Sequence, residues 1–150
     1  MRSQPHSGLN FQGKIIALWT TFLLGMLFHT QLALMPLFHG IDVTQSHTHE
    51  YLELSSILWL MLGIFALPML AIVAIAFTAS RRFRQLHFGL TVFFTVSNLL
   101  HFVSDVLVSV PSYQLFLMAL LFAIGLLLNL VSYQWIREGN RDRQLFKAVL

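Results

Sequence analysis

Residues 113–136 read YQLFLMALLFAIGLLLNLVSYQWI, a run without a single charged side chain. At 1.5 Å per residue, a helix of this length crosses the hydrocarbon core of a bilayer, which is roughly 30 Å thick. Three earlier apolar runs, each with at most one charged residue, cover residues 15–38, 51–78 and 86–110. The sequence therefore predicts an all-α integral membrane protein, one four-helix domain that occupies residues 1–150.

The composition excludes several other classes of protein. Hydrophobic residues make up 57% of the chain and charged residues 10%, far below the quarter that is usual in soluble domains. The absence of cysteine excludes disulfides, iron–sulfur clusters and thiolate zinc sites. The net charge of +3 arises from basic residues beside the ends of the apolar runs, so binding to nucleic acid is not expected.

Lysine and arginine also predict the orientation of the chain. They lie before the first run, between the second and third, and after the fourth, whereas the other two connections contain none. The positive-inside rule then places both termini on the cytoplasmic side of a bacterial inner membrane, or on the equivalent side of a thylakoid-type membrane. Short connections predict an up-down-up-down bundle with the first and third helices diagonally opposed. The tail 137–150 is predicted to be cytoplasmic, either as an amphipathic surface helix or as a frayed end.

The third run carries a stripe of polar residues. His87, Thr91, Asn98, His101 and Asp105 recur at steps of three, four and seven, so they share one face of a helix. Polar groups in a bilayer normally face the interior of the bundle, and the stripe is predicted to do so. Hydrogen bonding between helices is the preferred role for the threonine and the asparagine.

The depth of two histidines suggests a cofactor site. His29 and His101 each lie about 21 Å from the inner end of their helices, and diagonal helices would point the two imidazoles at each other. Such a pair can supply both axial ligands of one b-type haem. Gly25, one turn before His29, would leave room for the macrocycle, and Asp105 would either orient an imidazole or reach the outer headgroup region. The alternative is that both histidines are hydrogen-bonded core residues.

The spacing of His87 and His101 on one helix resembles the cytochrome b family of quinol oxidoreductases, in which paired histidines hold two stacked haems. The resemblance covers the third helix and implies a haem and a quinol. It departs from the family because the residue opposite His87 would lie near Lys14 or Ile15, and neither can ligate haem. At most one haem is therefore implied, at His29 and His101, and His87 is expected to contact lipid headgroups at the inner surface.

The outer loop offers a second candidate site for a metal ion. Imidazole and carboxylate groups suit divalent transition metals, and six of them are gathered near this loop: His39, Asp42, His47, His49, Glu50 and Glu53. The predicted metal ligands are all of these except Asp42. Two simpler interpretations are a hydrophilic loop without a metal and capping of the second helix by the two glutamates. His29, His101 and Asp105 could also join Glu53 in a proton or metal path that opens outward.

Three hypotheses about function follow from these residues. The first is a small redox subunit with one b-type haem, which passes electrons between a quinol or a protein partner and an outer acceptor. The second is a non-catalytic accessory or assembly subunit whose partners are other membrane-protein subunits. The third is an outer-facing metal-binding or transport protein.

Overall fold

The computed structural model describes the backbone of residues 10–40 and 54–149, and the side chains of residues 10–40 and 55–139. This part of the chain forms four α-helices, which are α1 (Phe11–Phe38), α2 (Leu54–Phe77), α3 (Arg81–Leu107) and α4 (Ser112–Val149). Each helix contains a segment long and apolar enough to cross a membrane. The prediction of an all-helical chain with four such helices is confirmed.

The helix boundaries follow from local capping. The Asn10 side chain accepts a hydrogen bond from the Gly13 N–H at 2.8 Å, and the Ser80 hydroxyl accepts one from the Phe83 N–H at 3.3 Å. Both side chains satisfy N–H groups that the first turn of a helix leaves free. These caps start α1 at residue 11 and α3 at residue 81, before the predicted starts at 15 and 86.

The C-terminal end of α3 is closed by a Schellman motif. Ser109 has φ of 57°, and the N–H groups of Ser109 and Val110 donate to the carbonyls of Val106 and Asp105 at 3.3 and 3.1 Å. This position usually holds glycine, because other residues rarely adopt positive φ. The motif fixes the backbone of Asp105, a residue of the predicted polar stripe.

α4 forms the centre of the bundle. It packs closely along both α3 and α1, while α2 packs over a shorter stretch of α1. Within the described ranges, α2 and α3 make almost no close backbone approach to each other. α4 also continues as a helix to Val149, so residues 137–149 of the predicted tail extend the fourth helix rather than fraying from residue 137.

The core lies where α1, α3 and α4 meet. Trp19 and Phe22 of α1 pack edge-to-face on Phe94 of α3, with ring centroids 5.4 and 6.5 Å apart, and Trp135 of α4 is also buried. Large apolar side chains on all four helices are exposed in the isolated chain, as expected for surfaces that face lipid.

Two glycines permit close contact with α4. A Cβ atom on Gly25 would collide with Leu121 of α4, and a Cβ on Gly125 of α4 would lie 2.8 Å from Thr95 Oγ1 of α3. A Cβ on Gly63 of α2 would meet nothing within 4 Å. Small residues at helix contacts are typical of membrane bundles, because packing rather than water exclusion holds such helices together.

Gly125→Ala is therefore expected to destabilise the bundle by about 1–3 kcal/mol through overpacking against Thr95. Gly63→Ala is the matched control, and it should be neutral or stabilise by up to about 1 kcal/mol because alanine favours helix. Reversible unfolding in mixed micelles, followed by circular dichroism, measures both values. Equal effects of the two substitutions would contradict the described contact between α3 and α4.

Candidate functional site

The polar stripe of α3 faces the interior of the bundle. Thr91, Asn98 and Asp105 are all buried, at 0%, 7% and 8% relative exposure. His87 is buried at the N-terminal end of the stripe, whereas the His101 side chain remains 57% exposed. The prediction that this face is buried in the interior of the bundle is confirmed for four of the five residues.

At the N-terminal end of the stripe, His87 packs against tryptophan. The indole N–H of Trp19 donates to His87 Nε2 at 2.9 Å, and the ring of Trp135 lies 6.0 Å away by centroid. Since indole nitrogen is only a donor, Nε2 must accept, and the ring proton of His87 is on Nδ1. The expectation that His87 contacts lipid headgroups is wrong, because the side chain is 2% exposed. The residue opposite it is Trp19, not Lys14 or Ile15.

Arg84 and Trp135 close the same end of the bundle. The Arg84 guanidinium lies over the Trp135 ring, 4.8 Å from its centroid, and donates from Nη1 to the Trp135 carbonyl oxygen at 2.7 Å. It also donates from Nε to the carbonyl of Ala79 at 3.0 Å. Through these contacts, Arg84 anchors α3 to α4.

Towards the other end of the stripe, three ionisable side chains converge. His29 Nε2 of α1 lies 3.7 Å from Asp105 Oδ2, and His101 Nε2 lies 3.8 Å from Asp105 Oδ1. The imidazole centroids are 5.5 Å apart and the ring planes are 84° to each other. His29 and His101, which the sequence predicts at the same depth in the membrane, therefore meet between α1 and α3. Asp105, one turn further along α3, lies beside both of them.

This group has the composition of a metal site. His29, His101 and Asp105 each offer one ligand atom, and these atoms all lie within 4.8 Å of one another. Ligands of a tetrahedral ion with bonds of 2.0–2.1 Å stand about 3.4 Å apart, so shifts of about 1 Å would close the site. Such shifts are available, because much of the His101 side chain is exposed. Two imidazoles and one carboxylate suit zinc, iron, manganese or copper.

Two atoms of the group are buried without hydrogen bonds. His29 Nδ1 and Asp105 Oδ2 have no hydrogen-bond partner among the residues that the structure describes. A buried carboxylate oxygen without a partner costs free energy, and more so in a bilayer, unless an ion or a proton compensates it. The ionisable groups are therefore arranged at a cost that a bound cation would offset.

Haem ligation by the same two histidines would require a different geometry. Two axial nitrogens on one iron stand about 4 Å apart, and the porphyrin occupies the plane between them. Here the Asp105 carboxylate lies within 3.8 Å of both Nε2 atoms, in the region that the porphyrin would fill. Gly25 faces Leu121 of α4, so its missing side chain makes room for a helix contact. A small ion fits this arrangement with less rearrangement than haem.

A cavity of about 500 Å³ lies beside the three residues. All four helices contribute to its walls, and His29, His101 and Asn98 are among the lining residues. Sequence reasoning did not find this cavity. It follows from the separation of α2 from α3, which no sequence pattern reveals.

The predicted site in the outer loop is not brought together by the described part of the chain. His39 is exposed just after α1, and its Nδ1 lies 3.0 Å from the carbonyl oxygen of Met35, which can accept a hydrogen bond from it. The other members of that prediction lie outside the described residues: His47, His49, Glu50 and Glu53. The loop site stays a prediction.

Comparison with known proteins gives no match for this chain, whether against family models, curated protein sequences or solved structures.

Proposed function

We propose that this membrane protein binds one divalent transition-metal ion through His29, His101 and Asp105. The observation that carries the proposal is the convergence of three ligand atoms from α1 and α3 to within 4.8 Å of one another. Asp105 supports it further, because one oxygen of this buried carboxylate accepts no hydrogen bond from the described residues, which is costly in an apolar bundle and would gain from a cation. Three protein ligands leave at least one coordination position open for another molecule.

The orientation of the chain belongs to the same proposal. Gln12, near the start of α1, donates to the carbonyl of Ile75 near the end of α2 at 2.8 Å, and Arg84, near the start of α3, bonds to Trp135 of α4. These contacts support an up-down-up-down bundle. The basic residues gather at the end that these contacts share, which supports cytoplasmic termini in a bacterial inner or thylakoid-type membrane, with the metal site towards the outer face.

Sidedness can be measured directly because the chain lacks cysteine. Ser109→Cys and Ala79→Cys place single thiols in the two short connections on either side of α3. A membrane-impermeant maleimide added to sealed, right-side-out vesicles should label the first variant and spare the second. Labelling of the second alone would reverse the proposed orientation, and labelling of both would contradict a span by α3.

The test of the metal site is a titration of the detergent-purified, chelator-stripped protein with Co²⁺. We expect one equivalent to bind with visible d–d bands typical of nitrogen and oxygen ligation, and Zn²⁺ to displace it. Absence of saturable binding would overturn the proposal. If stoichiometric membrane partners copurify with a protein that binds no metal, the accessory-subunit hypothesis gains instead.

A b-type haem on His29 and His101 is the second candidate, and the close approach of the two imidazoles, with ring centroids 5.5 Å apart, is the observation that favours it. In that function the protein would pass electrons between a quinol or partner and an outer acceptor. The reduced-minus-oxidised visible spectrum of the protein as purified separates the two candidates. A haem band that is lost in both His29→Ala and His101→Ala would replace the metal-ion proposal.

Metal binding should also depend on pH with a definite sign. An imidazole must be unprotonated to ligate, so protons compete with the ion at both histidines. The apparent Co²⁺ affinity is expected to fall by at least about tenfold between about pH 8 and about pH 5. Titrations at several pH values measure how the apparent Co²⁺ affinity depends on pH. An affinity independent of pH would exclude ligation by histidine.

A further inference from the structure

We propose that the cavity beside the metal site binds a ring compound from the bilayer that carries a hydroxyl group, the chemistry of a quinol head. The proposal deepens the proposed function, because His29 and His101 belong both to the cavity wall and to the metal site. The placement of the head group near the metal ion rests on the proposed function. The size of the cavity, its walls and one buried amide support it independently.

The size and walls of the cavity suit a flat apolar molecule. Its volume of about 500 Å³ falls within the range of small-molecule sites. Four phenylalanine rings line it, from three of the helices: Phe22, Phe65, Phe93 and Phe94. Aromatic rings favour stacked or edge-to-face contact with another ring. Methionine side chains complete the wall, and their flexible thioethers adapt to the shape of a ligand.

Access to the cavity is from the bilayer. α2 supplies one wall and α3 another, yet these two helices make almost no close backbone approach within the described ranges. Met61 on the α2 wall is 40% exposed, so the wall reaches the lipid-facing surface. A molecule dissolved in the membrane can therefore enter between the two helices without crossing water.

Asn98 indicates the chemistry of the head group. Its side chain lines the cavity and is 7% exposed, and its Oδ1 has no hydrogen-bond partner in the described part of the chain. A buried amide oxygen without a partner is destabilising, whereas a hydroxyl donor from a ligand would satisfy it. An acyl chain supplies no such donor. His29 Nδ1, in the same wall, is also without a partner among those residues.

The experiment uses the full chain in detergent with decylubiquinol, held reduced under nitrogen, as the probe. Binding is measured by the rise in the thermal unfolding midpoint as the probe is added, since a ligand that binds only the folded state stabilises it. We expect saturable binding, and oleyl alcohol, which carries a hydroxyl on a chain without a ring, should compete poorly. Equal competition by oleyl alcohol would overturn the assignment of a ring compound.

Asn98→Leu should weaken decylubiquinol binding by about tenfold, the value of one hydrogen bond. The matched control is Asn129→Leu, because Asn129 Oδ1 of α4 is also buried without a hydrogen-bond partner among the described residues, but Asn129 does not line the cavity. Wild-type affinity in Asn98→Leu would overturn the proposal. If that variant does not fold, Met61→Trp fills the cavity from the lipid side, and it should abolish binding.

A Co²⁺ titration of wild-type protein without the probe separates the two proposals. Probe binding without cobalt binding would uphold the ring-compound site and overturn the metal site. Cobalt binding without probe binding would uphold the metal site and overturn the ring-compound site. If both bind, the probe should perturb the cobalt d–d bands, because His29 and His101 border both sites; unchanged bands would overturn the placement of the head group near the ion.

Discussion

Replacing Asp105 with asparagine is expected to lower the affinity for Co²⁺ by at least about 100-fold. The substitution keeps the size of the side chain and removes the anionic ligand that lies 3.7 and 3.8 Å from the two histidine nitrogens. Loss of a group that merely orients a metal ligand lowers the affinity for the metal by about 10–100-fold. Loss of a ligand itself should therefore lower the affinity by about 100-fold or more. Titrations of both proteins, read by the cobalt d–d bands, measure the difference.

The stability of the metal-free variant distinguishes a metal site from simple helix packing. If Asp105 evolved to hold a cation, removing its buried charge should leave the ion-free bundle as stable as before, or more stable. If its role is to tie α1 to α3, the ion-free variant should unfold more readily. Glu138→Gln on α4 is the matched control because Glu138 is an exposed acid away from the site. Its cobalt affinity should equal that of the wild type, and a loss as large as that of Asp105→Asn would indicate a nonspecific charge effect.

The second large effect is expected from Trp19→Ala, which should destabilise the protein by about 3–5 kcal/mol. Trp19 is fully buried, packs edge-to-face on Phe22 and Phe94, and donates the hydrogen bond to His87. Truncation leaves a void and a buried imidazole nitrogen without its donor. Unfolding in mixed micelles, followed by circular dichroism, measures the loss.

Trp59→Ala provides the comparison for that experiment. Trp59 is 70% exposed on α2, where it faces lipid, so its truncation should change the free energy of unfolding by about 0.5 kcal/mol or less. Trp19→Phe separates the two contributions, since it retains most of the packing and loses the hydrogen bond, at an expected cost of about 1–3 kcal/mol. A Trp19→Ala protein as stable as the Trp59→Ala protein would contradict the described core.

The sequence predicted the helices well because a membrane imposes a length and a polarity on each span. It also predicted that His29 and His101 meet, since depth along two helices follows from residue counting. It did not predict that Trp19 faces His87. The residue opposite a given position depends on the offset and crossing angle between helices, and side-chain packing sets these. The convergence of Asp105 with both histidines depends likewise on side-chain conformation, which no periodicity specifies.

The sequence also did not predict which helices pack against each other. Short connections suggested that each helix packs on its neighbours in the chain, yet α2 packs mainly on α1, and α4 holds α1 and α3 together. Close contacts at Gly25 and Gly125 explain the position of α4, because the absence of a side chain there admits Leu121 and sets α4 against Thr95. A glycine in a run of leucines does not reveal which helix will approach it.

The central position of α4 has a consequence for synthesis of the protein. α1, α2 and α3 leave the ribosome before α4, but α4 is the helix that packs along both α1 and α3. All three members of the candidate metal site are therefore already in the membrane while α4 is still being translated. His101 and Asp105 are neighbours on α3 from the start, but a ribosome that stalls before α4 leaves their contact with His29 without the helix that packs on both sides of it.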